Sequence, residues 1–207
     1  MQSQRKTLIA TGIIVIAVLA AGAYLYLKEP SMPDLDRPFV PAARYPQDIQ
    51  DESIQKVASA TAELRENPEL ISRWLEIAVY RKNADDYEGA EEIWLYVASH
   101  FPEDPVAYNN LADLYQNYTN EPHKAKGYWR KLIELKPDYI PAYRNLHDLY
   151  KGKLDDNSLA EEILREGLEK NAKNLDLLIP LAIFERDHGK TDEALAHFIE
   201  AKKEAEV

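Results

Sequence analysis

The sequence predicts an all-α solenoid of stacked helical hairpins, and three observations carry that expectation. Ala90, Ala125, Ala160 and Ala194 recur at intervals of 35, 35 and 34 residues. Four residues after each stands a large apolar side chain: Trp94, Trp129, Leu164 and Phe198. Another precedes each by 16 or 17 residues: Trp74, Tyr108, Tyr143 and Leu178. A period of this length marks a unit that cannot bury its own apolar face and must stack on copies of itself.

Taken from the amino terminus, residues 1–7 form a short basic tail containing Arg5 and Lys6. Residues 8–27 carry no charged side chain. As a helix rising about 1.5 Å per residue, this stretch matches the roughly 30 Å hydrocarbon layer of a bilayer. Tyr24 and Tyr26 sit at one end, where amphipathic rings favour the headgroup region. Ala21-Gly22-Ala23 offers the small residues that a signal peptidase takes. The run nevertheless exceeds the roughly 7–15 apolar residues of a cleaved signal core, so an uncleaved transmembrane signal anchor is favoured. The tail is short, basic and free of acids, which predicts a cytoplasmic amino terminus and an extracytoplasmic body, periplasmic or on the cell surface. Lys28, Arg37 and Arg44 on the other side reduce that asymmetry.

Residues 28–46 include Pro30, Pro33, Pro38, Pro41 and Pro46. Proline blocks helix and sheet and favours extended geometry at roughly 3.1 Å per residue, so a semi-rigid spacer reaching up to about 60 Å is expected. Residues 47–66 read as a capping helix, with Ile49, Ile54, Val57, Ala58, Ala60 and Leu64 as its apolar positions and Asn67-Pro68 as its stop.

The repeats follow at 71–104, 105–139, 140–174 and 175–207. Three residues after each opening residue come Ile77, Leu111, Leu146 and Leu181, and then Ala78, Ala112, His147 and Ala182. Such spacing builds one apolar helical stripe, and the small residue lets two helices approach. Pro102 and Pro137 close the first two units. Each alanine is followed by the next opening residue after 18 positions, so the extra residue of the middle units falls in the loop inside the hairpin. The last helix, 192–206, carries Glu and Lys on one face and is expected to cap the far end.

This pattern resembles the tetratricopeptide repeat (TPR) family over residues 71–207, with Tyr115 and Tyr150 matching the family's tyrosine at the end of the first helix. His147 and Ala172 depart from it, in place of a small residue and a proline. The resemblance implies a right-handed α-α superhelix whose first helices line a concave surface that binds an extended peptide or a partner helix. The residues expected there are Leu75, Val79, Asn109, Asn110, Asp113, Asn117, Arg144, Asn145 and Asp148, with Gln116 also facing outward. Asn110 and Asn145 hold equivalent places, as in TPR proteins that bond a peptide backbone through an asparagine ladder; an amide both donates and accepts. The chaperone-binding carboxylate clamp of this family is matched by Asn110 alone. Leu75, Val79, Pro141 and Asn145 replace its other members, which disfavours that partner.

The rest of the composition narrows the chemistry. The chain has 207 residues and no cysteine, which removes disulfides, thiol nucleophiles and thiolate metal sites. The net charge is −11, and 22 basic against 36 acidic side chains lie beyond residue 28, so nucleic acid is not an expected partner. The five histidines show no metal-ligand spacing; His147 reads as a packed structural residue. Asp85-Asp86 and Asp155-Asp156-Asn157-Ser158 read as helix caps rather than calcium loops. No cofactor, metal site or catalytic constellation is expected. The expected function is a non-catalytic scaffold, held to the bilayer through residues 8–27 and binding a protein or peptide. The alternative is an accessory assembly factor of a cell-envelope enzyme or biogenesis complex, resembling the TPR parts of cytochrome c maturation systems.

Overall fold

The computed structural model describes residues 30–206, so the predicted anchor at 8–27 lies outside the described residues. Among the described residues, no helix is long and apolar enough to cross a membrane. From Pro33 onward the chain forms one compact unit. Its elements are α1 (Gln47–Glu66), α2 (Ile71–Asn83), α3 (Tyr87–His100), α4 (Pro105–Asp113, continued by a π-turn over Leu114–Tyr118), α5 (Pro122–Leu135), α6 (Ile140–Gly152), α7 (Asn157–Lys170), α8 (Leu175–Asp187) and α9 (Thr191–Ala205). The pairs α2/α3, α4/α5, α6/α7 and α8/α9 are the four hairpins, each stacked on the next, with α1 packed against α2.

The repeat residues of the first three hairpins, with Leu181 of the last, belong to one continuous core. Trp74, Trp94, Tyr143, Leu164, Ala90, Ala125 and Ala160 are fully buried, and Trp129 and Ala194 nearly so. Three of the four opening residues also tie their polar tip to the turn before them or to the end of the preceding helix. Trp74 Nε1 donates to the Pro68 carbonyl at 2.8 Å, Tyr108 Oη to Ala98 at 3.0 Å, and Tyr143 Oη to Pro137 at 3.0 Å. His147 is buried, with Nδ1 2.9 Å from the Ala160 carbonyl, which accommodates a polar ring at a helix-packing position. Because Ala125 is fully enclosed, Ala125→Leu is expected to overpack the second hairpin and cost about 1–3 kcal/mol in urea unfolding.

The hairpin loops share one construction. Asp85, Asn120, Asp155 and Gly189 adopt φ of 63°, 55°, 51° and 77°, each one residue before the N-cap of a second helix, a conformation that Asp, Asn and Gly accept most readily. In all four units a backbone N–H then returns to the end of the first helix: Asp86 to Arg81, Glu121 to Tyr115, Asp156 to Tyr150 and Lys190 to Glu185. The middle two loops span one residue more than the outer two, and this is where the 35-residue units place their extra residue. In the second unit it is taken up by the π-turn, with Thr119 N–H bonded to the Leu114 carbonyl. Asp86 and Asp156 cap their helices by accepting from Gly89 and Leu159 N–H. Asp85 and Asp155 are the left-handed residues instead, a role that spacing alone does not separate from capping.

Two sequence expectations change. In α1 the buried face is Ser53, Val57, Ala60 and Leu64, whereas Ile49 and Ile54 stay nearly half exposed. The extended segment from Pro33 is not a free spacer. Leu35 and Phe39 pack against the core, and the segment runs as a strap along α1 and the first hairpin. The reach of about 60 Å expected for an unattached 28–46 therefore does not apply, since most of that stretch is laid along the repeats. The last helix, α9, also exposes Leu195 and Ile199, at 57% and 61%.

Candidate functional site

The first helix of each hairpin leaves the side chains one, two and five positions beyond its opening residue outside the core. At the first and last of these places the outer repeats carry Leu75 and Val79, and Ile179 and Ile183; the middle repeats carry Asn109 and Asp113, and Arg144 and Asp148. Val79, Ile179 and Ile183 are each more than a third exposed. The surface is thus apolar at both ends and polar between. The alternation is present in the sequence but becomes visible only when the four helices are placed in register.

The polar residues divide by how they are occupied. Asp113 is taken up internally, 3.1 Å from Lys82 Nζ and accepting from Asn117 Nδ2 at 2.8 Å. Lys82 also lies 5.0 Å from the Tyr118 ring centroid, a cation–π contact. Asn109 Oδ1 receives the Tyr139 hydroxyl at 3.4 Å. Arg144 stands 3.7 Å from Asp176, an exposed pair of little energetic weight. Gln116 departs from its expected outward role, since its Oε1 accepts from Trp129 Nε1 at 2.7 Å. Lys82 and Tyr139 join this surface without any sequence signal, because neither lies at a repeat position that predicts groove contact.

Asn110 and Asn145 stand apart. Both are half-buried in equivalent places on α4 and α6, and among the described residues neither side-chain amide has a partner. The equivalent places in the outer repeats are closed to such a role. Glu76 is held by Arg73 at 2.8 Å, and Pro180 has no polar side chain. Between α6 and α8, Arg144, His147, Asp148, Lys151, Pro180, Ile183 and Phe184 line a depression of about 190 Å³. No group of three or more His, Asp or Glu side chains among the described residues could hold a metal ion.

Stacked hairpins with this register define an α-solenoid of the tetratricopeptide-repeat fold. Solved structures bear this out. MamA superimposes with a TM-score of 0.60 at 17% identity, covering 77% of this chain and 92% of that one. YrrB, described as a TPR protein with an unusual peptide-binding site, gives 0.55 at 19% identity, covering 70% and 74%. PilW, described as a widely conserved type IV pilus biogenesis factor, gives 0.53 at 21% identity, covering 76% and 72%. No protein-family model and no curated protein sequence matches the chain.

Proposed function

We propose that this chain is a non-catalytic scaffold that holds a protein or peptide segment along the faces of α2, α4, α6 and α8. The observation that carries the reading is the pair of unpartnered amides, Asn110 and Asn145, on successive repeats. Half-buried amides without internal partners are suited to bonding both N–H and C=O of an extended backbone. The apolar ends, Leu75 with Val79 and Ile179 with Ile183, favour a segment with apolar side chains flanking a polar centre. The solenoid fold supports the same reading, as does the peptide-binding site described for YrrB, which shares that fold. The charge-free run at 8–27 supports a bilayer tether, with the amino terminus cytoplasmic and the repeats extracytoplasmic.

Asn110→Ala with Asn145→Ala is expected to weaken partner capture by about tenfold or more, as each amide loses a donated and an accepted hydrogen bond of about 0.5–1.5 kcal/mol. Helix content and melting should not change. Unaltered capture would place the partner elsewhere. A photoreactive residue at position 110, activated in native membranes, would identify what is bound. Capture of an envelope enzyme or biogenesis complex would move the reading to an accessory assembly factor.

A further inference from the structure

The exposed face of α9 has a pattern that the groove does not use. Asp192, Leu195, Ile199, Lys202 and Glu206 follow one another at steps of 3, 4, 3 and 4 residues and so form a single stripe along the helix. All five are exposed, and Leu195 and Ile199 at its centre are the two most exposed large apolar side chains of the helical repeats. Ala194 and Ala201 turn the other side of α9 onto α8. Asp192 has no partner among the described residues, and Lys202 has only Glu206 of its own helix, at 4.0 Å.

The stripe is complementary to itself. Laid antiparallel on a second α9 about an axis near residue 197, Asp192 faces Lys202 of the second copy and Leu195 faces its Ile199. Each relation repeats in reverse on the other side. Glu193 and Lys203 add the same sense of charge at the two ends of the helix. Parallel pairing would instead set Asp192 against Asp192 and Lys202 against Lys202. We propose that a second copy of this chain covers α9 in a two-fold, antiparallel helix pair. Such an interface is isologous, so it closes at a dimer and leaves the faces of the first helices open. One 15-residue helix on each side buries less than the roughly 1,200–2,000 Å² of a stable interface, so the dimer is a weak one with Kd on the order of 10 µM or above. The proposal stands independently of the groove reading.

The full-length chain in detergent should sediment as a concentration-dependent monomer–dimer mixture up to about 1 mM. Asp192→Lys and Lys202→Asp should each lose self-association, because in either variant positions 192 and 202, which face one another across the pair, carry the same charge. Mixing the two variants should restore dimers, since each then meets its opposite. The chain has no cysteine of its own, so Leu195→Cys and Ile199→Cys give a second, geometric readout. The mixed sample should form disulfide dimers faster than either variant alone. All four substitutions fall on exposed side chains, and unchanged helix content verifies folding. The proposal is overturned if the chain stays monomeric, if either charge variant still dimerises, if mixing restores nothing, or if Leu195→Cys alone crosslinks as fast as the mixture. Crosslinking of α9 exclusively to a different protein would overturn it too.

Discussion

Arg81→Ala is expected to lower the stability of the amino-terminal hairpin by about 3 kcal/mol and to release the strap. Arg81 is only 4% exposed and serves two parts of the structure at once. Nη1 lies 2.7 Å from Asp86 Oδ2 and donates to the Pro38 carbonyl at 3.2 Å, while Nη2 donates to the Arg37 carbonyl at 2.8 Å. Truncation would leave two strap carbonyls without their donor and open a cavity beside Gly89. A Cβ at Gly89 would fall 2.9 Å from Arg81 Cδ and closer still to Asp86 Oδ2, so any larger residue there would displace the same pair. Asp86 would keep Arg37, 2.8 Å away, which limits the loss. The strap keeps the apolar contacts of Leu35 and Phe39 with the core, and its other polar contacts are more exposed: Arg37 with Glu88 and Glu92, Arg44 with Asp85 and the Asn83 carbonyl, and Arg65 with Asp36. The Arg44 guanidinium holds the Asp85 carboxyl below its ordinary range. The measurement is protease cleavage between residues 34 and 45 alongside urea unfolding. If cleavage in the variant is no faster than in the parent, Arg81 does not fasten the strap.

The second large effect is expected at the corresponding place in the last hairpin. Glu185→Ala should cost about 2 kcal/mol and loosen α9. Glu185 is fully buried, with Oε1 2.5 Å from Arg165 Nη2 and Oε2 2.7 Å from His197 Nδ1, so it joins α7, α8 and α9. The loss is smaller than for a wholly enclosed pair because Arg165 is 43% exposed and keeps Glu161 at 2.8 Å. Amide exchange along Ala194–Ala201 should accelerate on the order of tenfold or more, whereas Glu185→Gln, which retains an acceptor for Arg165, should fall between. Unchanged exchange in the alanine variant would show that α9 is held by its apolar contacts alone.

These two residues occupy the same repeat position as Tyr115 and Tyr150, seven beyond the opening residue. In the interior units a tyrosine fills it, and Tyr115 bonds Glu91 of the preceding hairpin at 2.5 Å, its hydroxyl pushed above the ordinary range by burial. At the two ends of the array the position is charged instead. Among the described residues the strap and α1 precede the first repeat, and Arg81 fastens that strap; in the last repeat, Glu185 fastens α9. The register that marks the tyrosines also locates these exceptions, yet it cannot say what they contact. Arg81 and Arg37 are 44 residues apart in sequence, and no spacing rule joins an extended proline-rich segment to a helix end.

The same division holds for the candidate site. Asn110 and Asn145 emerge as equivalent positions from the period alone, because exposure on a helix follows from its pitch. Whether those amides are free, and whether Gln116 is taken by Trp129, depends on side chains brought in from neighbouring helices.

By itself the sequence determined the helical hairpins and the aromatic and alanine positions of their core, since those are set by helical pitch and by local stops at proline, asparagine and aspartate. Only the tertiary structure decided that the proline-rich segment lies along the first repeat, that Arg81 and Glu185 are buried, and that α9 leaves an apolar stripe uncovered. These outcomes rest on burial and pairing between residues far apart in the chain, and local periodicity carries no information about which distant surface a segment will cover.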